Sequence, residues 1–286
     1  MTLVANIFVL AGSYILLALG WVLIFRATRI MNFATGEFMV LGAYILYVFA
    51  VASHLNTVLS IVLALLISGA FGWACYVFLM RRMITQPLFS AVVLTLGLTT
   101  VMSAAIDIVA GPGDRILPSS LANKTFQIAG ARISDLGAAT TVLALVLVGM
   151  LIIFFRATSL GIQMRAAAES PALAARSGMN VSFIFGLSWA LAGILTAIAG
   201  ITFGYIQVIS PQASQLGLDG IAPALVGGFE SIGGTIPGAL IVATVQVLGV
   251  KWFGGASNDA LAFTVLLLFV MVRPTGLFGN SEAGRL

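Results

Sequence analysis

Charge is scarce in this sequence: Asp, Glu, Lys and Arg together make up 8% of its 286 residues, against roughly 25% in soluble domains. With 60% hydrophobic residues and a mean hydropathy of +1.14, a water-soluble fold is excluded. There is one cysteine, Cys75, so no disulfide forms within the chain and no thiolate metal cluster is available. There is one histidine, His54, and no Cys/His or Glu/His group at ligand spacing, which removes a zinc site and a histidine-based triad. His54 lies beside Asn56 at a helix end and reads as an interfacial polar residue. The two lysines, Lys124 and Lys251, follow Asn123 and Val250 in place of the glycine that a phosphate-binding Gly-Lys-Ser/Thr loop requires. The chain is therefore expected to hold no catalytic residue, no metal and no nucleotide of its own.

What remains is long apolar runs. Lipid offers no water to backbone polar groups, so such runs become helices or a closed barrel, and these lack the alternation of barrel strands. Crossing a hydrocarbon core about 30 Å thick takes roughly 20 residues. Windows 2–25, 38–53, 57–80, 88–106, 136–155 and 181–205 qualify, the second by starting inside the turn at 32–36. Two weaker windows follow at 231–250, interrupted by glycines and Pro237, and at 260–272. The stretch 216–229 holds Asp219 and Pro223 and is too short to span, which predicts a half-helix. The expected fold is all-α, a polytopic transmembrane bundle of about eight spanning helices plus a half-helix, in a single domain over 1–286. The first window has no basic residue ahead of it and no small-residue cleavage site behind it, so it reads as a retained helix rather than a signal.

The net charge of +4 is a topology signal rather than a nucleic-acid footprint, because the basic residues stand between apolar runs. An external N-terminus places Arg26, Arg29, Arg81, Arg82, Arg156, Arg165 and Arg176 in the cytoplasm. Arg115, Lys124 and Arg132 then fall in one longer external loop, Lys251 outside, and Arg273 and Arg285 inside.

Four local features stand out. Glu37 follows Asn32-Phe33-Ala34-Thr35-Gly36 and precedes an apolar run. Either it lines a pathway or pairs with Arg26 or Arg29, or it sits solvated at the interface. Glu230 lies between Gly227-Gly228 and Gly233-Gly234, where a helix can break; a surface turn and a pathway role are both open. Phe33 precedes Gly42-Ala43 at the same intervals as Phe229 precedes Gly238-Ala239, which is either a faint internal repeat of paired broken helices or coincidence. Fourth, residues 159–180 read SLGIQMRAAAESPALAARSGMN. Ser170 suits an N-cap, Pro171 the first helical position and Gly178 a left-handed stop, which predicts a short surface helix. Two turns are marginal alone, so it gains stability by docking.

The segment GSYILLALGWVLIFRATRIMNFATGEFMVLGAY (12–44) resembles the opening signature of LivH-type permeases of branched-chain amino acid ABC importers. That family usually carries Asn-Phe-Ala-His-Gly where this chain has Thr35. RAAAESPALAARSGMN resembles the family's cytoplasmic coupling segment, and ALAGILTAIAGI, GLDGIAPALVGGFESIGGTIPGAL and VRPTGLFG resemble its later signatures in order. The resemblance covers essentially the whole chain. It implies a type II-like importer in the bacterial inner membrane, with a second permease (a longer LivM-type subunit, or a homodimer mate), two cytoplasmic ATPases that bind ATP and magnesium, and an external solute-binding protein. On this resemblance 159–178 is the coupling segment, carried by Arg165, Glu169, Ser170, Pro171, Ala174, Arg176 and Gly178. The translocation path involves Asn32, Phe33, Gly36, Glu37, Gly227, Gly228 and Glu230. Small-residue spacings at Gly200-Gly204 and Gly234-Gly238 allow close helix contact, within the chain or between subunits. Branched-chain or related amino acids are the expected cargo. The alternatives are the same architecture carrying urea, amides, carboxylates or a sugar, and a stand-alone secondary carrier.

Overall fold

The computed structural model describes residues 2–83, 86–111, 113–117, 125–128, 131–254 and 258–279. Lys124 and Arg285, used above as topology signals, lie outside them. Twelve α-helices and one hairpin follow in chain order: α1 Thr2–Thr28, α2 Thr35–Tyr47, α3 Thr57–Phe78, α4 Leu88–Ala110, β1 Thr125–Ile128, β2 Ala131–Ser134, α5 Asp135–Ala157, α6 Ser159–Glu169, α7 Pro171–Arg176, α8 Val181–Ile206, α9 Ser214–Asp219, α10 Ile221–Gly227, α11 Thr235–Phe253 and α12 Asn258–Val272. Among the described residues seven helices are long and apolar enough to cross a membrane, and α12 contributes a shorter apolar helix over Phe263–Val272. These are the eight windows read from the sequence.

Four features go beyond that reading. The half-helix is two short helices, α9 and α10, meeting at Gly220. A further helix, α6, precedes the predicted one. The end of α2 unwinds into a π-helical turn over Val48–Ala52. The longer loop holds an antiparallel hairpin pairing Thr125 with Ser134 through Ile128 with Ala131, an addition to the all-α expectation.

The chain forms two compact units. The first comprises residues 1–22, 122–152 and 219–286. In it the Tyr14 hydroxyl of α1 donates to Gln246 Oε1 of α11, and Thr141 Oγ1 of α5 donates to the Phe8 carbonyl at 3.2 Å. Helices α10 and α11 make a tight hairpin in which Gly227, Gly234 and Gly238 bring backbone against backbone. The C-terminal VRPTGLFG motif straps this hairpin: Leu277 N–H donates to the Val226 carbonyl at 2.9 Å and Phe278 N–H to that of Gly227 at 3.2 Å. Two signatures distant in sequence are thus one structural feature.

The second unit comprises residues 23–121 and 153–218. Its core is α2, α3 and α8, packed along small-residue seams: Gly42 against Ala197, Gly72 against the Trp189 carbonyl, Gly193 against Ser68, and Gly200 against Met39. Such seams let apolar helices approach closely where lipid supplies no hydrophobic drive between them. Phe38 sits edge-on to Phe71 at 5.4 Å and 6.4 Å from Trp189. Buried Ser188 and Thr196 donate back to the carbonyls of Ile184 and Ala192, both at 2.9 Å, so neither hydroxyl is orphaned. The small-residue spacings noted in the sequence both serve contacts inside the chain. The end of α1 runs past the window limit at 25 because Arg26 stays attached, its guanidinium 5.0 Å from the Phe155 ring.

Candidate functional site

The second unit contains a cavity of about 480 Å³ whose walls are unusually polar for so apolar a chain. Its floor is the turn before α2. The Ala34 N–H donates to Asn32 Oδ1 at 3.1 Å and Thr35 Oγ1 donates to the Asn32 carbonyl at 2.6 Å. Asn32 is buried and acts as the anchor of this turn. The turn delivers Phe33, Gly36 and Glu37 to the cavity wall.

A second wall is α4, which contributes Thr99, Thr100, Ser103 and Asp107. With Thr95 these residues include a stripe at four-residue spacing, one face of a helix. Thr95 and Thr99 donate to the carbonyls of Val92 and Thr95, at 2.9 and 3.0 Å, which lets hydroxyls sit in an apolar helix at little cost. This stripe went unread in the sequence, although its spacing is visible there. The third wall is α9, through Ser214, Gln215 and Leu218. It approaches so closely that a Cβ on Gly36 would overlap the Ser214 carbonyl, and one on Gly217 would overlap Gly36.

Glu37 is 2% exposed, which rules out the solvated-interface reading. It accepts a hydrogen bond from the Ser214 side chain, while its Oε2 has no hydrogen-bond partner in the structure. Its place in the first turn of α2 sets the carboxylate against the positive end of the helix, which offsets part of the burial cost. Asp107 is exposed. Gly227, Gly228 and Glu230 belong to the other unit, where Gly228, at φ +98°, shapes the strapped turn between α10 and α11.

The second feature is the pair α6 and α7. Thr158 caps α6, accepting from the Gly161 N–H at 3.0 Å. Ser170 caps α7 as expected, accepting from the Leu173 N–H at 3.3 Å, with Pro171 in the first turn. Gly178 at φ +83° supplies the left-handed stop. Gly161, Met164, Ala167 and Ala174 face inward, whereas Arg165, Glu169, Arg176 and Gly178 are exposed, and Leu173 is 62% exposed. Both helices pack against α8, which packs on α2. A contiguous series of helices therefore links the exposed pair to the turn that carries Glu37.

Seven helices of membrane-spanning length among the described residues, with a polar cavity and an exposed capped helical pair within the second unit, define a multi-pass membrane protein. The chain belongs to the family described as branched-chain amino acid transport system / permease component, whose pattern matches residues 3–272. It is 26% identical over 288 residues to the high-affinity branched-chain amino acid transport system permease protein LivH of Salmonella typhimurium, covering 96% of this chain and 93% of the relative. It is 27% identical over 287 residues to the corresponding BraD protein of Pseudomonas aeruginosa, covering 95% and 93%. Its fold is similar to a solved structure, PsaBC from Streptococcus pneumoniae in complex with Fab, at a TM-score of 0.52 and 15% identity, covering 96% of this chain and 92% of that one. The chain is thus an ABC importer permease subunit and a multi-pass protein of the bacterial inner membrane.

Proposed function

We propose that this permease carries branched-chain or related amino acids, the cargo named for its relatives, and that it does so without an ATPase site of its own. It assembles with a second permease, a longer LivM-type subunit or a second copy, with two ATPases that bind ATP and magnesium, and with an external solute-binding protein. The observation that carries this reading is the packed series from α7 through α8 to α2. Closure of the ATPases displaces the exposed surface of Arg165, Glu169, Leu173 and Arg176. The shift passes through α8, and the contacts of Gly200 with Met39 and of Gly42 with Ala197 deliver it to the turn holding Asn32, Phe33, Gly36 and Glu37. In this reading residues 159–178 are the coupling segment, and the cavity beside Glu37 is part of the path.

The test is co-expression of the tagged chain with its neighbouring genes, followed by mass spectrometry of the purified complex and ATP-driven uptake in proteoliposomes. Recovery of a second permease and ATPases, with leucine uptake, is the expected result. A lone chain that transports without ATP refutes the importer.

A further inference from the structure

The cavity beside Glu37 has a chemical bias that the transport reading leaves unused. Its described lining carries two carboxylates, Glu37 and Asp107, and no basic side chain. Buried carboxylates are costly unless paired, and the pairing of Glu37 is incomplete: Ser214 supplies one donor, while Oε2 has none. A cationic donor with several N–H groups would complete that pairing and offset the charge as well. The rest of the lining constrains the body of that donor. Phe33 and Leu218 add apolar wall, and Thr99 and Ser103 add small hydroxyls, which suits a short apolar molecule bearing an amine.

The cover over the carboxylate is α9. Its crossing with α2 brings the backbones of Gly36, Ser214 and Gly217 together, so a small displacement of α9 withdraws the Ser214 side chain and bares Glu37 more fully to the cavity it lines. We infer that this cavity is an ammonium-selective station on the path, in which the Glu37 carboxylate takes the amine of the cargo and the exposed Asp107 adds to the attraction. The inference rests on the importer reading and adds to it which end of the cargo is recognised. Amine-bearing molecules pass, and purely anionic ones of the same shape are refused. Carboxylates thereby drop out of the alternative cargoes.

The experiment is equilibrium binding of radiolabelled leucine to the purified permease complex without the external binding protein. Two competitors are used: 3-methylbutylamine, which is leucine without its carboxylate, and 4-methylpentanoate, which lacks the amine. The amine is expected to compete within about tenfold of leucine and the acid not at all. Glu37→Gln is expected to weaken leucine binding by about tenfold or more, the scale of one charge-assisted hydrogen bond, and Glu37→Asp to recover part of that loss. Competition by the acid equal to that by the amine overturns the inference, as does undiminished binding to a folded Glu37→Gln complex. If that variant does not assemble, the order of the two competitors on the wild type decides alone. Absence of leucine binding in a complex that imports leucine overturns the ammonium station and leaves the importer standing. A complex that neither assembles nor imports leucine overturns both.

Discussion

Replacing Gly36 with alanine puts the packing of α9 on α2 to a direct test. In an exposed helix Gly→Ala is stabilising by roughly 1 kcal/mol, because glycine loses more backbone entropy on ordering. At Gly36 the added methyl would overlap the carbonyl oxygen of Ser214. The obstacle is backbone and has no rotamer to escape into, so α9 itself must retreat. Overpacking of this kind costs about 1–3 kcal/mol. Taking the upper end for a backbone clash and subtracting the propensity gain leaves a net loss of about 2 kcal/mol. The control is Gly97→Ala on α4, where an added Cβ meets nothing within 4 Å; it should be neutral or stabilising by up to about 1 kcal/mol. The two variants should therefore differ by about 3 kcal/mol, roughly a hundredfold in the unfolding equilibrium. Parallel denaturant unfolding in detergent measures this, and uptake should fall only in Gly36→Ala, because α9 can no longer seat on α2 and return Ser214 to Glu37 once the cargo has left. A Gly36→Ala protein as stable as Gly97→Ala refutes the crossing geometry and the positioning of α9 that depends on it.

Three further outcomes follow from the surface pair and the first unit. Ser170→Ala removes the α7 cap at a cost of about 1 kcal/mol. Leucine-stimulated ATP hydrolysis by the assembled complex should drop, and unchanged stimulation would argue against α7 as the lever. Leu173→Asp, at an exposed position, should leave the stability of the isolated chain within about 0.5 kcal/mol and strip the ATPases from it on co-purification; retention of the ATPases removes Leu173 from the docking surface. Tyr14→Phe leaves the buried Gln246 carbonyl without the donor it has now and should destabilise the chain by about 0.5–2 kcal/mol, read by the same unfolding assay.

The spanning helices were legible because hydropathy averaged over 20 residues is insensitive to detail. The opening turn, Asn32 to Glu37, was legible for the opposite reason, as a carboxylate stands out against an apolar run. Between these extremes the sequence signal fades. The Thr95, Thr99, Ser103 and Asp107 stripe was missed because threonine and serine barely lower a window average, and the Thr95 and Thr99 hydroxyls are satisfied by the helix's own carbonyls. Helix α6 is not legible in the punctuation at Ser170, Pro171 and Gly178, because its start is set by Thr158, whose hydroxyl oxygen accepts from the Gly161 N–H, a single cap with no wider pattern around it. The split between α9 and α10 depends on Gly220, one glycine among many in that stretch. The strap of Leu277 and Phe278 is a pairing of backbone groups, to which side-chain patterns are blind.

The hydrogen bond between Tyr14 and Gln246 joins residues 232 positions apart, and this has a bearing on biogenesis. At a synthesis rate of about 5–20 residues per second, the first helix stands without its partner for roughly 10–50 s. During that time the Tyr14 hydroxyl lies in the lipid or in the insertion machinery without Gln246. Helix α1 is thus made well before α11 and is finished only with it. Its early polar group is a point at which insertion factors, or a slowing of translation, would act on the assembly of the whole protein.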